Sequence, residues 1–250
     1  MDYSQILLVS DVDSTLAVGG EISEENRKAI RYFVENGGKF TLATGRTPAY
    51  ILEKYGDTLP ISAPVAAVNG SIVADLKSGD ILWSKPMPAA FTEVLRFAKG
   101  IEHDLRCLLY RADQTEDVSD KAPVYADGYY KILFVLPSAE RALSLKSALT
   151  AEFSSDFEFA RSWDIGLEAT CHGADKGAAL LKIKKMTGCE TAIGVGNYEN
   201  DLQLLTCADV GIAVENAEAS LKCAADFVTV SDKDHAVAEI IYHLEQYLKN

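Results

Sequence analysis

The chain has 250 residues, 48% of them hydrophobic and 24% charged, a balance that excludes disorder and is long enough for one large domain or a core with a smaller companion. A formal charge of −13 opposes binding to nucleic-acid backbones or anionic membranes, which require clustered Lys and Arg, but leaves room for a small phosphorylated partner held by a few local cations and a metal. Five cysteines, none in a C-x-x-C pair, argue against a disulfide framework or zinc site. Reduced thiols, an opening Met1-Asp2-Tyr3-Ser4 with no basic leader, and no apolar run near the ~18 residues of a membrane span make the cytoplasm the expected location.

The first expected strand is Ile6 to Ser10, and Ser23-Glu24-Glu25 opens a helix with Ala29, Ile30, Phe33 and Val34 on its apolar face, stopped at Gly37-Gly38. Lys39 to Ala43 reads as the second strand, Thr47-Pro48 as a helix start, and Val65 to Val68 as the third strand. This β-α-β-α-β rhythm belongs to a parallel sheet. Ser71 to Ala74 and Asp80 to Ser84 read as a hairpin or edge strands, after which Pro86-Met87-Pro88 marks a boundary. Between residues 85 and 170 the pattern is an α+β insert: helices near Phe91 to Lys99 and Ala139 to Glu152, strands near Leu105 to Tyr110, Tyr130 to Leu136 and Phe157 to Ala169. The βα rhythm then resumes with a helix from Asp175 to Met186, a strand Thr191 to Val195, a helix through Leu202 to Leu205, strands Val210 to Val214 and Phe227 to Val230, and a final helix His235 to Leu248. The expected organisation is a discontinuous α/β core, residues 1–84 and 171–250, carrying an inserted lid, residues 85–170.

Asp11 and Asp13 stand where the first apolar run stops. In a strand, positions i and i+2 face one way, so both carboxylates are expected in one small volume, and two adjacent anions need a cation. Thr44-Gly45-Arg46 follows the second strand, Lys176-Gly177 opens a helix, and Gly194-Val195-Gly196-Asn197-Tyr198-Glu199-Asn200-Asp201 joins strand to helix. In open α/β sheets ligands sit outside the carboxyl ends of strands, so these segments can meet in one crevice. An ionised aspartate attacks phosphorus without a general base, and magnesium offsets its repulsion from the phosphate; Asp11 is therefore assigned as nucleophile and metal ligand. Asp13 can protonate the leaving oxygen and later activate water, its carbonyl facing the metal. Thr44, the N–H groups of Gly45 and Val12, and Lys176 supply donors to the phosphoryl oxygens, and Arg46 reaches the phosphate or the substrate body. Each segment alone reads as an ordinary turn, loop or surface lysine; their joint order carries the assignment.

These motifs resemble those of the haloacid-dehalogenase superfamily of phosphohydrolases, in its Cof-type (class IIB) branch. Asp11-Val12-Asp13-Ser14-Thr15 is similar to D-x-D-x-T, Thr44-Gly45-Arg46 to the second motif, Lys176 to the third, Gly196 to Asp201 to the fourth, and Asn69-Gly70 to the turn before the cap. The resemblance implies a Rossmann-like three-layer core with a mostly parallel sheet and an inserted class II cap closing over a small phosphorylated metabolite, often a sugar phosphate. About 30 residues separate Asp11 from Thr44 and about 130 separate Thr44 from Lys176, which leaves space for a cap only in the second interval. It further implies a magnesium site of Asp11, Asp13, Asn197 and Asp201, with Asn200 near the phosphate and Asn69 joining Arg46 toward the substrate. Where the family has an aspartate, this chain has Asn197, whose neutral amide oxygen is expected to weaken metal binding.

The competing readings are a phosphomutase of the same superfamily and a phospholigand-binding protein with a compromised metal site. A dinucleotide fold is excluded because Glu199 stands where G-x-G-x-x-G needs its third glycine. Arg106, Tyr110, Arg111, Tyr129, Lys131, Arg161 and Trp163 are lid residues with binding-capable side chains, but the sequence assigns none of them a role, nor His172, nor an oligomeric state.

Overall fold

The computed structural model describes residues 2–121 and 126–248. Its five-stranded parallel sheet runs, across space, Phe227–Val228, Val210–Ala213, Thr191–Gly196, Ile6–Ser10 and Lys39–Leu42. Ile6–Ser10 is paired on both edges and buried at every position, which is why it reads as an unbroken apolar run rather than an alternating one. From this strand the chain first adds Lys39–Leu42 on one side and later Thr191–Gly196 on the other. The strand order thus reverses beside the carboxyl end of Ile6–Ser10, the place where an open α/β sheet forms its crevice.

Helices are capped much as the sequence anticipates. Ser23 accepts from the Asn26 N–H ahead of Glu24–Glu35, Thr47 from Tyr50 ahead of Pro48–Tyr55, and Asp175 from Ala178 ahead of Lys176–Thr187. Val65–Ala67 joins the sheet only through a bridge from Ala43 to Ala66, then pairs antiparallel with Ile72–Ala74, which pairs with Ile81–Ser84. The expected last helix is two pieces, Ala236–Tyr242 and Leu244–Tyr247. The backbone leaves helical angles at His243 (φ −116°, ψ 24°), and beyond it Tyr247 packs edge-on against Phe227 at 5.3 Å and donates to Thr229. A short helix, Ala219–Ala224, and a strand, Thr115–Asp117, carry no clear periodicity and were not anticipated.

Residues 106–171 build a second, antiparallel sheet in the order Phe157–Trp163, Gly166–Cys171, Lys131–Val135, Arg106–Tyr110, Thr115–Asp117. Cys107, Leu109, Ile132, Phe134, Leu167 and Ala169 pack beneath helices Phe91–Ile101 and Ala139–Phe153 in an apolar cluster separate from the core's. By the period-two rule the alternate residues, among them Tyr110, Lys131, Leu133 and Glu168, face the opposite way, toward the parallel sheet. Among the described residues no helix is long and apolar enough to cross a membrane.

Gly177 shows how tightly the two late helices approach. A Cβ there would lie 2.2 Å from the Gln203 carbonyl oxygen, a backbone atom that cannot swing aside. Gly177→Ala is expected to cost about 1–3 kcal/mol in urea denaturation; an unchanged midpoint would mean the helices are not in this contact.

Candidate active site

At the carboxyl end of Ile6–Ser10 the Asp11 N–H is held by the Val195 carbonyl at 2.9 Å, fixing the chain as it leaves the sheet. Lys176, first residue of its helix and fully buried, places its ammonium 2.7 Å from Asp11 Oδ1 and 2.5 Å from Asp201 Oδ1. Two buried carboxylates therefore share one cation, one more than it can neutralise when both are ionised. Burial, helped by the Asp201 charge, pushes the Asp11 carboxyl up to about 7 even though Lys176 pulls the other way. Burial alone would lower the Lys176 ammonium, but the two carboxylates outweigh it and raise it.

Asp13 departs from the strand-based expectation. The strand ends at Ser10, so the two-residue alternation no longer holds, and Asp13 bridges to Ala17 with its side chain half exposed. Both its oxygens accept from Arg46, at 3.2 Å each, and Arg46 also lies 5.0 Å over the Tyr50 ring. Asp11 and Asp13 still line the same cleft, but one is buried on Lys176 and the other sits on Arg46.

Asp201 is spent on structure: while Oδ1 takes Lys176, Oδ2 accepts from the N–H groups of Asn197 and Tyr198 at 2.9 and 3.2 Å. It is fully buried behind the cleft, whereas Asn197 and Asn200 line it. Thr44 and Gly45 line it as well, Thr44 Oγ1 accepting from Arg46 N–H at 3.3 Å. Among the described residues the N–H groups of Val12 and Gly45 have no protein acceptor. Asn69, expected near substrate, is instead buried in a left-handed turn (φ 56°), its amide donating to Glu168 at 2.5 Å and its oxygen 3.5 Å from the Asn200 amide.

The cleft holds about 580 Å³ between the two sheets. Of the lid residues with binding-capable side chains, Tyr110, Lys131 and Trp163 line it. Arg161 instead grips the core, reaching Glu199, Tyr198 and Glu218 at 3.1, 3.2 and 2.9 Å, while Lys146 pairs with Glu199 and Tyr198 donates to Asp164. Arg106 pairs with Asp117 on the surface, Arg111 stacks on Tyr129, and exposed His172 lies 3.4 Å from Glu158. Glu168 and Asn216 also line the cleft and were not singled out in the sequence; Glu168 was detectable as an isolated charge within the apolar strand Gly166–Cys171.

Among the described residues no three His, Cys, Asp or Glu side chains surround one metal position. With Asp13 on Arg46 and Asp201 on Lys176, the Asp11 carboxylate and the Asn197 amide remain at this end of the cleft as oxygen donors. Such a set fits magnesium, which is content with one or two carboxylates, several waters and phosphate oxygens.

Residues 8–116 and 102–241 match the family described as haloacid dehalogenase-like hydrolase. Phosphatase YwpJ of Bacillus subtilis is 33% identical over 289 residues, covering 95% of this chain and 99% of the relative. The 5-amino-6-(5-phospho-D-ribitylamino)uracil phosphatase YcsE of the same organism is 24% identical over 246 residues, covering 95% and 94%. A solved structure described as a subclass IIB sugar phosphatase shares the fold with a TM-score of 0.80 at 17% identity, covering 96% of this chain and 98% of its own.

The shared ammonium makes a prediction about stability. A carboxyl raised from 3.8 to about 7 on folding costs nothing while it stays protonated and progressively destabilises the fold as pH climbs between those values. Asp11→Asn, in chelator, should therefore raise the melting temperature at pH 8, by about 2–4 °C for each kcal/mol relieved in a chain of this size, and raise it by a smaller amount at pH 5, where only the first part of the window has been crossed. A lowered melting temperature at pH 8 would contradict the crowding of Asp11 and Asp201 on one cation.

Proposed function

The chain is a member of the haloacid dehalogenase-like hydrolases and, like the relatives it matches, a phosphatase; from that premise we propose that it hydrolyses monoesters of a small phosphorylated metabolite through an aspartyl-phosphate. The observation that carries this reading is the Asp11 carboxylate fixed on buried Lys176 at the floor of a cleft with open donors. A nucleophile held in one orientation, with its counter-cation already in place, loses little freedom on reaching the reactive geometry.

In this reading Asp11 attacks phosphorus, the leaving oxygen departs with a proton from Asp13, and an aspartyl ester of phosphate remains on Asp11. Water, deprotonated by Asp13, then attacks that phosphorus and regenerates the carboxylate with release of inorganic phosphate. Lys176, Thr44 and the N–H groups of Val12 and Gly45 receive the charge on the equatorial oxygens. Asp13 can serve only when Arg46 lets go, and a phosphate entering beside Arg46 offers the guanidinium a competing anion. Magnesium, held by Asp11, Asn197 and the main chain at Asp13, would neutralise charge on the phosphoryl oxygens, with Asp201 supporting the site from behind through Lys176.

The antiparallel module of residues 85–170 serves as the cap. Its side of the cleft sets Tyr110, Ser162 and Asp164 beside Leu133 and Trp163, a mixture that suits a hydroxylated body such as a sugar phosphate. The five free thiols fit a reducing cytoplasm.

Release of inorganic phosphate from p-nitrophenyl phosphate with magnesium is the direct assay. Asp11→Asn should abolish it, while a native chain that binds phosphate without turnover would instead support a binding protein. Titrating magnesium should show Asn197→Asp reaching half-maximal rate at a lower concentration than the native chain, since a carboxylate replaces a neutral ligand. Superimposed titrations would remove residue 197 from the metal.

A further inference from the structure

The cap buries an ion pair that the chemistry above does not use. Lys131, on Lys131–Val135, and Glu168, on the neighbouring strand Gly166–Cys171, meet at 2.5 Å, their side chains 2% and 4% exposed. Every strong bond of the ammonium is accounted for: Glu168 Oε1, the Gly45 carbonyl at 2.8 Å, and the Tyr110 ring at 4.2 Å. Glu168 is committed likewise, with Oε2 taking the Asn69 amide. Lys131 and Glu168 belong to the cap, whereas Gly45 and Asn69 belong to the core, so the pair grips two core turns that flank the phosphoryl-binding donors.

A buried ion pair is seldom more stabilising than apolar side chains of the same volume. Its value here lies in what its atoms hold. The bond to the Gly45 carbonyl pins the Gly45–Arg46 peptide, while the Asn69 N–H takes the Thr44 carbonyl at 2.9 Å and so pins the peptide that carries the Gly45 N–H; Asn69, tied through its side-chain amide to Glu168, sits in a left-handed turn (φ 56°) that Asn adopts more readily than most residues. The turn is in turn shaped to the pair: a Cβ on Gly45 would stand 3.0 Å from the Lys131 ammonium, 3.1 Å from the Asn69 oxygen and 3.3 Å from Glu168 Oε1.

We infer that Lys131 and Glu168 are positioning residues that set the Gly45 and Asn69 turns for phosphoryl binding, so that the phosphate cradle is complete only when the cap is seated. The inference rests on the phosphatase reading and extends it to the cap. Glu168→Gln keeps the shape but presents one oxygen and one NH2, so either Lys131 or Asn69 meets a donor instead of an acceptor. The double variant Lys131→Met with Glu168→Leu removes the charges together and leaves no unpaired ion.

The test measures kcat with p-nitrophenyl phosphate, inhibition by inorganic phosphate, and melting temperature on the full chain with magnesium. Glu168→Gln should lower kcat by about tenfold to a hundredfold, the scale of a small misplacement of catalytic groups, and weaken phosphate inhibition by about tenfold. The double variant should keep a melting temperature closer to native than Lys131→Met alone, which strands the Glu168 charge, yet show the full loss of kcat and of phosphate inhibition, a separation that a merely structural pair would not give. Native kcat and phosphate inhibition in either variant would overturn the inference while leaving the phosphatase reading intact. A native chain without phosphate release would overturn both.

Discussion

One ammonium organises this molecule. Lys176 joins the end of the first strand, through Asp11, to the loop after Thr191–Gly196, through Asp201, and does so from the first turn of its own helix, all without access to water. Three segments far apart in the chain cannot drift relative to one another without leaving a buried charge unpaired, which costs several kcal/mol. Because the arrangement has two anions to one cation, it also retains negative charge next to the cleft. That excess costs stability and opposes ionisation of Asp11, and a cation entering the cleft beside it would relieve both.

The second sheet contributes what the first cannot. A parallel sheet buries both faces beneath helices and offers only its strand ends to a ligand, so a cleft needs a second surface to close it. The antiparallel module buries one face under its own two helices and turns the other, with its polar alternate residues, toward those strand ends. It is joined there by two polar contacts of different character: the sheltered Lys131–Glu168 pair on the Gly45 and Asn69 turns, and the half-buried Arg161 fork on Tyr198, Glu199 and Glu218. The first bears on the Gly45 and Asn69 turns and the second on the loop that carries Asn197, Asn200 and Asp201.

Much of this was legible in the amino-acid sequence, for identifiable reasons. The unbroken apolar run of Ile6 to Ser10, the helix starts at Ser23, Thr47 and Asp175, and the long interval between Thr44 and Lys176 are local or additive signals, and the structure keeps them. The meeting of Asp11, Lys176 and Asp201 followed from the rule that strand ends share an edge. What stayed hidden depended on partners brought from elsewhere. Asp13 could not be seen to turn onto Arg46, because the strand alternation stops one residue before Asp11. Lys131 and Glu168 are each a lone charge in an apolar strand until antiparallel register and a core turn bring their partners to them. Asn69 was placed near substrate by its position in the turn, but its side chain was already taken by Glu168.

The proposed chemistry has a phosphoryl group carried briefly by Asp11, an intermediate that a chemical trap would capture. Rapid acid quench of the enzyme during turnover with a phosphomonoester, followed by borohydride reduction and peptide mass analysis, should convert residue 11 to homoserine and leave Asp13 and Asp201 as aspartate. Reduction at another carboxylate, or steady phosphate release with residue 11 unaltered, would contradict the role given to the Asp11–Lys176 pair.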